Sequence, residues 1–231
     1  MLENLAAFHA RVDSFQQNSL GDALITKPLL VEKVAPNGEL RPFFGNTMIF
    51  DLPQDVQIQI TRMQLLLHHR CAGMLAQPLT PATLHMTLHD LLNGVDAAAL
   101  AAPVRQTGAL ALQILAEQRS ARLPAVHLTS TAAFNMTNGS VALGFAPDTE
   151  ADCALLMGMH ARYQDVVALN YPLTPHVTLA YYKPGEYGPE AVTALKDALA
   201  QINALPKVHI TVDAECLHYY RFEDMNTYIR G

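Results

Sequence analysis

Two copies of a His-x-Thr-Leu motif are the residues of this chain whose types and spacing suggest chemistry. They lie at His85–Leu88 and His176–Leu179, and each copy closely follows a Leu-Thr-Pro tripeptide. An imidazole has an unperturbed pKa of roughly 6.5, so one histidine can accept a proton while a second donates one. A threonine hydroxyl can donate a hydrogen bond to a phosphoryl oxygen on which charge develops. The pair therefore suggests acid–base chemistry around one phosphorus atom, with no need for a metal.

Repetition of the surrounding sequence selects these two copies. The His-x-Thr tripeptide alone is weak evidence, because it begins at four of the ten histidines: His85, His127, His176 and His209. The predicted order of strand, helix, motif strand, helix and strand occurs twice, so that 47–92 matches 140–182 and 126–129 matches 208–211. The repeat pairs His85 with His176. It also pairs His127 with His209, which we interpret as polar positions on neighbouring strands.

The first motif is compatible with two local structures. His85 and His89 are four positions apart, a spacing at which two histidines on a helix can bind zinc. A zinc-protease motif would need Glu in place of Met86. The second copy continues into aromatic residues, Tyr181 and Tyr182, which favour a strand. We predict a strand for both copies, because repeated sequences are expected to share one structure.

On a strand, residues i and i+2 point to the same face. His85, Thr87 and His89 then share one face, and a histidine and threonine two positions apart are separated by about 6.5 Å, at roughly 3.3 Å per residue. In the second copy His176, Thr178 and Tyr182 share a face. The predicted site residues are His85 and His176 as the catalytic pair, Thr87 and Thr178 as phosphate-binding hydroxyls, His89, Tyr182 and Asn46 as candidates for lining the cleft, and Arg41 and Lys183 as candidate phosphate charges or ordinary surface bases.

Hydrophobic periodicity and turn residues predict the elements that position these side chains. The sequence predicts an N-terminal helix over 2–17 and a β-hairpin over 28–50 around Asn37-Gly38, an Asn-Gly pair typical of tight hairpins. Further helices are predicted over 53–73, 96–118, 149–169 and 189–205, and further strands over 83–91, 125–134, 140–145, 175–182, 208–212, 215–220 and 227–230.

The repeat predicts an α+β fold with two lobes related by a pseudo-twofold axis, so that equivalent strands face one cleft. We expect one bilobal domain over 1–231. Residues 1–43 would form an N-terminal extension, 44–134 the lobe with the first motif, and 135–231 the lobe with the second, with room for strands to exchange between the lobes.

Composition limits the class of partner. Half of the 231 residues are apolar, 16% are charged and the formal net charge is −6. This is enough apolar sequence to form a core. Binding along a nucleic-acid polymer depends on Lys and Arg that neutralise phosphates, and the 15 basic residues form no stripe. We therefore expect a small anionic ligand held by a few positioned groups, with no extended nucleic-acid track.

Cysteine spacing and hydrophobicity along the chain predict the cellular compartment of the protein. The three cysteines, Cys71, Cys153 and Cys216, have no metal-binding or redox spacing and are interpreted as free thiols of a reducing compartment. We see neither a signal peptide nor a stretch apolar enough to span a bilayer. A cytoplasmic protein without a membrane partner, in monomeric form, is expected.

The paired His-x-Thr-apolar motifs, one in each lobe, resemble those of the two-histidine (2H) phosphoesterase superfamily. This superfamily includes bacterial RNA 2′,3′-cyclic phosphodiesterases, often labelled 2′-5′ RNA ligases. The resemblance covers the chain from about Phe44 onward. It implies two antiparallel sheets lining a central cleft, with helices outside. It also implies metal-free cleavage of a 2′,3′-cyclic or related phosphodiester without a cofactor, in a small nucleotide or a short RNA end as the substrate. The resemblance assigns catalysis to His85 and His176 and binding of the phosphate to Thr87 and Thr178.

Two other functions remain open at this point. The same cleft could bind a nucleotide or an RNA end without turning it over, or it could join RNA ends through 2′-5′ bonds. The pseudo-symmetry also leaves open which histidine acts as the acid and which as the base.

Overall fold

The computed structural model describes residues 3–17 and 20–231, and most of its strands form two antiparallel sheets. The helices are α1 (Leu5–Gln17), α2 (Gln54–Cys71), α3 (Ala97–Ser120), α4 (Glu150–Tyr163) and α5 (Pro189–Asn203). The strands are β1 (Leu24–Ile25), β2 (Phe44–Asp51), β3 (His85–Gly94), β4 (Val126–Met136), β5 (Ser140–Pro147), β6 (His176–Tyr181), β7 (Glu186–Tyr187), β8 (His209–Val212), β9 (Leu217–Asp224) and β10 (Thr227–Arg230).

The two motif strands are edge strands of different sheets. The first sheet has the order β10-β9-β2-β3 and the second has the order β6-β5-β4-β8, while β1 and β7 form a separate pair. Strands β3 and β6 lie next to each other without pairing. The predicted α+β fold of two antiparallel sheets is confirmed, and each sheet carries one motif strand at its edge.

Strands are exchanged between the two halves of the chain. Strand β4 follows the helix of the first half, α3, yet it pairs with β5 in the second sheet. Strand β9 comes near the end of the chain and pairs with β2 in the first sheet. Each sheet is therefore built from both halves of the sequence.

Local sequence explains where the helices begin. Helix α3 begins after Asp96, whose carboxylate accepts hydrogen bonds from the backbone N–H groups of Ala98 and Ala99, both at 3.0 Å. Helix α4 begins after Thr149, whose hydroxyl accepts a hydrogen bond from the Asp152 N–H at 3.1 Å. Such caps satisfy backbone donors that have no partner within the helix. Helix α3 packs on the first sheet, while α2 and α5 pack on each other and on the second.

The predicted hairpin over 28–50 is wrong. Residues Pro28–Glu32 form a 3-10 helix, and the two predicted arms meet only at a single bridge between Val34 and Leu40. The Asn37-Gly38 turn is present, with Gly38 at φ +92°. Prolines at 28, 36 and 42 lack the N–H that a ladder of hydrogen bonds requires, which explains why the arms do not pair.

The N-terminal helix lies on the face of the second sheet that carries His176. Helix α1 begins at Leu5; Leu2, where the predicted helix starts, lies outside the described residues. The Gln16 amide donates to the Thr131 hydroxyl at 2.8 Å, and a Cβ on Gly144 would stand 2.2 Å from that amide nitrogen. Because Gly144 pairs with His176, the two side-chain positions share a face. Glycine at this position gives α1 the room to approach the sheet.

No helix among the described residues is both long enough and apolar enough to cross a bilayer.

Candidate active site

A β-bulge interrupts each motif strand at the same place. On β3, Thr87 pairs with Ile49 and His89 with Met48, so Leu88 is an extra residue. On β6, Thr178 pairs with Ala142 and Ala180 with Val141, so Leu179 is the extra residue. Because side chains alternate between the faces of a strand, one extra residue moves the side chains that directly follow it to the opposite face.

The bulges select the first, third and sixth residues of each motif for the cleft. The intervening positions are buried, and the half-buried side chains that share the cleft face are His85, Thr87 and Asp90 of the first copy and His176, Thr178 and Tyr181 of the second. The structure therefore brings the four principal predicted residues together. It adds Asp90 and Tyr181, which strict alternation excludes from this face.

His89 and Tyr182 were predicted to line the cleft, and the structure contradicts both predictions. Only 1% of the His89 surface is exposed, and Tyr182 is fully buried in the core. The His89 ring lies 4.9 Å from that of His160, on the side of the sheet away from the cleft. The bulges are the physical reason, because they turn both side chains inward.

The alternative of a zinc site also conflicts with this geometry. His85 and His89 lie on a strand, on opposite faces, whereas the alternative needs both on one face of a helix. Within the described part of the chain, no three His, Cys, Asp or Glu side chains gather as a set that could hold a metal ion.

Asn46 was the third candidate for lining the cleft, and this prediction is also wrong. Asn46 is 1% exposed and faces α3. Its amide nitrogen donates to the Thr107 hydroxyl at 2.9 Å, and its carbonyl oxygen accepts from the Leu92 N–H at 3.0 Å. Asn46 therefore joins a strand to a helix, and a buried amide with these partners is structural.

Both motif histidines are oriented by the same hydrogen bond. The Nδ1 atom of His85 lies 2.7 Å from the carbonyl oxygen of Thr83, and the Nδ1 atom of His176 lies 2.7 Å from that of Thr174. A carbonyl oxygen can only accept, so Nδ1 carries the proton in both rings. When neutral, each imidazole then has its free lone pair on Nε2, the atom available for acid–base chemistry.

Burial lowers the pKa of both histidines. The loss of solvation is the largest effect on His85 and on His176, and it is opposed in each case by the hydrogen bond to the carbonyl. A positive charge on His176 lowers the pKa of His85 further. The charge of Asp90 raises both pKa values. The site therefore favours neutral imidazoles and makes a second protonation costly.

Aromatic side chains form one wall of the site. The Tyr228 ring centre lies 4.8 Å from that of His85. Burial raises the pKa of Tyr181, while a hydrogen bond with Thr178 lowers it. The Tyr181 hydroxyl lies 3.1 Å from the Met225 sulfur. Tyr181 thus contacts the turn between β9 and β10, the strand that carries Tyr228.

Lys33 is the basic side chain that sequence analysis missed. Its Nζ lies 4.7 Å from the Phe43 ring centre and 5.8 Å from that of Tyr181. Burial lowers its pKa and the charge of Asp90 raises it. The predicted candidates, Arg41 and Lys183, instead donate to backbone carbonyls. Lys33 precedes the repeat, in a segment whose sequence gives no signal of its position.

A carboxylate and a histidine lie beside His85 on the first sheet. Asp51 pairs with His85 across β2 and β3, and its Oδ2 lies 3.0 Å from His218 Nδ1. The Tyr220 hydroxyl donates to Asp51 Oδ1 at 3.1 Å. The charge of Asp51 raises the pKa of His85, although less than burial lowers it. His218 and Tyr220 belong to β9, which lies outside the repeat, so no motif indicated them.

A hydrogen bond joins Asp90 of β3 to the segment that precedes β6. The Tyr171 hydroxyl donates to Asp90 Oδ2 at 2.9 Å, and Tyr171 belongs to the segment before β6. This hydrogen bond connects the strand of the first motif to the chain that leads into the second.

The second repeated pair of histidines lies elsewhere. His127 Nδ1 is 3.3 Å from Asp152 Oδ1, and His209 Nδ1 is 2.9 Å from the Thr129 hydroxyl. His127 lies on β4 and His209 on β8, and β8 is the edge strand opposite to β6 in the second sheet. The structure does not bring them to the motif histidines.

Comparison of the fold shows similarity to solved structures. A conserved protein of unknown function from Agrobacterium tumefaciens, ATU0111, has a TM-score of 0.68 at 18% identity, over 96% of this chain and 97% of its own. Lower similarity is found with E. coli LigT complexed with 3′-AMP, at a TM-score of 0.49, 15% identity and coverage of 83% of this chain and 96% of that one. TT0787 of Thermus thermophilus has a TM-score of 0.46 at 19% identity, over 80% and 93%. No family model and no curated protein matches the sequence.

Proposed function

We propose that this protein is a phosphodiesterase of the two-histidine type, which hydrolyses a 2′,3′-cyclic or related small nucleotide phosphodiester without a metal ion. The observation that supports it best is the matched placement of His85 and His176. They lie on adjacent edge strands of two sheets, and each Nδ1 is bound to a carbonyl so that Nε2 is free.

In this proposal the phosphate binds between β3 and β6. The hydroxyls of Thr87 and Thr178 share a face with the two histidines, so each can donate a hydrogen bond to a non-bridging oxygen. These donors stabilise the charge that grows on the phosphoryl oxygens as the transition state forms. A half-buried site strengthens such bonds, because water screens them less.

One histidine takes a proton at Nε2 from a water molecule while the water oxygen bonds to phosphorus. The other histidine, protonated at Nε2, gives that proton to the ribose oxygen as the phosphorus–oxygen ester bond breaks. The product is a phosphate monoester with a free neighbouring hydroxyl. The exchange leaves the first histidine protonated and the second neutral, and proton transfer with solvent restores the starting state.

The charge balance supports a small substrate. The net charge is −6, and Lys33 is a basic side chain that lies within the electrostatic reach of the cleft residue Asp90. A cation of this kind suits one small anion better than a polymer of phosphates. The three cysteines are free thiols, which fits the reducing cytoplasm that we propose for a monomeric enzyme.

A direct test is incubation of the purified protein with nucleoside 2′,3′-cyclic phosphates in the presence of EDTA. We expect a nucleoside monophosphate, detected by phosphorus NMR. Because general acid–base groups contribute about 10²–10⁴-fold to a rate, His85→Ala and His176→Ala should each lower kcat by about that factor. A matched control is His69→Ala, since His69 is exposed in the last turn of α2.

Full activity in either motif variant would contradict the assignment. Saturable binding of the nucleotide with no product would instead favour a binding module, and formation of 2′-5′ bonds from RNA ends would favour the joining activity.

A further inference from the structure

The catalytic groups are nearly symmetric, whereas a nucleotide is not. Each motif supplies a histidine bound to the carbonyl two residues earlier, and a threonine on the same face. These four groups look alike from either side of the phosphorus, so they cannot fix how the alcohol part of the substrate lies. The sixth positions break the symmetry, because Asp90 of the first motif corresponds to Tyr181 of the second.

Asp90 is an acceptor with spare capacity. Its Oδ2 accepts one hydrogen bond, from the Tyr171 hydroxyl, and about half of the Tyr171 surface is exposed. Among residues 3–17 and 20–231, no lysine or arginine nitrogen stands within 4.0 Å of the Asp90 carboxylate. An ionised carboxylate offers about four lone-pair positions, so the carboxylate can accept further hydrogen bonds.

The carboxylate suits a hydroxyl rather than a phosphate. It repels an anionic phosphate, and it can only accept hydrogen bonds. In a nucleoside 2′,3′-cyclic phosphate both ring hydroxyls are esterified, so the 5′-hydroxyl is the sugar donor that remains. The Tyr171 hydroxyl already shows that Asp90 accepts from a neutral O–H group facing it.

We propose that Asp90 is a specificity-determining residue that binds a free 5′-hydroxyl of the substrate. It directs the sugar toward β3 and favours mononucleosides over RNA ends, whose 5′-oxygen carries a further phosphate. Tyr181 and Tyr228 lie on the aromatic side of the same cleft, where the base would face them. This inference rests on the proposed function.

The test compares adenosine 2′,3′-cyclic phosphate with its 5′-deoxy and 5′-phosphorylated analogues. A hydrogen bond to a charged group is worth about 1.5–3 kcal/mol, so loss of the 5′-hydroxyl should lower kcat/KM of the wild type by about 10–100-fold. In Asp90→Ala the same change should cost less than about threefold. Asp90→Asn removes the charge but keeps an acceptor for Tyr171. It should therefore hydrolyse the 5′-phosphorylated analogue with a higher kcat/KM than the wild type does.

Two controls separate this role from others. Asp22→Asn removes a negative charge from a fully exposed side chain and should behave like the wild type. Each variant is measured at its own pH optimum, because the charge of Asp90 also raises the pKa of both histidines. If Asp90→Asn and Asp90→Ala lower the rates on all three substrates by one common factor, Asp90 acts through the histidines and the proposal is overturned.

A binding measurement keeps the inference testable if the proposed function fails. Should the wild type hydrolyse none of the three substrates, calorimetry is carried out with adenosine 2′- and 3′-monophosphates and their 5′-deoxy analogues. Tighter binding of the 5′-hydroxyl forms in the wild type, but not in Asp90→Ala, would support the role of Asp90. Equal binding of both forms by the wild type would refute it.

Discussion

At the scale of single residues, one hydrogen bond determines which nitrogen of each motif histidine carries the proton. The bond from Nδ1 to the carbonyl two residues earlier is present in both copies, at 2.7 Å. It selects the tautomer without a carboxylate partner, so the chain itself orients the ring. The sequence predicts the four principal residues because their types and the repeat agree. It could not identify Lys33 or Tyr228, which come to the site only through long-range folding.

The two threonines should contribute through their hydroxyls. We expect Thr87→Ala and Thr178→Ala each to lower kcat/KM about 10–100-fold, since each removes a donor to a charged oxygen worth about 1.5–3 kcal/mol. Thr87→Ser and Thr178→Ser keep the hydroxyl and should retain most of the activity. Steady-state kinetics on a nucleoside 2′,3′-cyclic phosphate measures this. Equal losses in the Ala and Ser variants would show that the methyl group, and not the hydroxyl, matters.

The pH dependence follows from the direction of the histidine pKa shifts. Burial lowers the pKa of His85 and His176 below the ordinary 6.5. The acid must be protonated in the free enzyme, so kcat/KM should fall as pH rises through the lowered value. The base must be neutral, so kcat/KM should also fall at lower pH. We expect a bell-shaped profile of kcat/KM with its maximum below pH 6.5; a maximum above pH 7.5 would be inconsistent with these shifts.

At the scale of elements, the paired bulges explain where sequence reasoning about the site was correct and where it failed. The motif strands were predicted, and alternation placed His85 with Thr87 correctly. Beyond the third residue it failed, because a bulge depends on the pairing register with β2 or β5, which a single strand does not reveal. In the second copy Leu179 and Ala180 are consecutive apolar residues. A run of this kind breaks alternation and is the one local signal of the bulge. The predicted hairpin is wrong because the Asn37-Gly38 turn forms, but the prolines at 28, 36 and 42 lack the N–H that pairing of its arms requires.

The packing of α4 on β3 should make stability depend on pH. His160 lies beside His89, and burial lowers the pKa of His160 to about 4. The unfolded chain binds a proton at this histidine below pH 6.5, while the folded chain does not until about pH 4. The free energy of unfolding should therefore decrease as the pH falls from about 6.5 to about 4. Since one pKa unit corresponds to about 1.4 kcal/mol, the contribution is on the order of 3 kcal/mol.

Urea unfolding at pH 7 and pH 4.5 measures this contribution. His160→Gln cannot titrate and should lose less stability between the two pH values than the wild type. His69→Gln, at an exposed position, should lose as much as the wild type. If His160→Gln shows the same loss as the wild type, the buried histidine is not responsible.

At the scale of the whole molecule, the two lobes and room for an exchange of strands between them were predicted, but which strands are exchanged was not. The repeat orders the strands along the sequence, whereas β4 and β9 find partners in the other half. Strand pairing over such separations depends on the complete fold. Helix α1 was predicted from the sequence, but its position beside His176 depends on Gly144, whose importance the sequence alone does not indicate.

The exchange of strands has a consequence for how the protein unfolds. The sheet that carries His85 needs β9 and β10 from the end of the chain, and the sheet that carries His176 needs β4 from its first half. Neither half of the sequence contains a complete sheet. We expect a single cooperative transition, in which hydrogen exchange of β2 and β5 proceeds with the same free energy and the calorimetric enthalpy equals the van 't Hoff enthalpy. Two separate transitions would show that the lobes are independent. If unfolding is cooperative as we expect, a gene divided between residues 134 and 135 should yield two fragments that gain structure only when they are mixed.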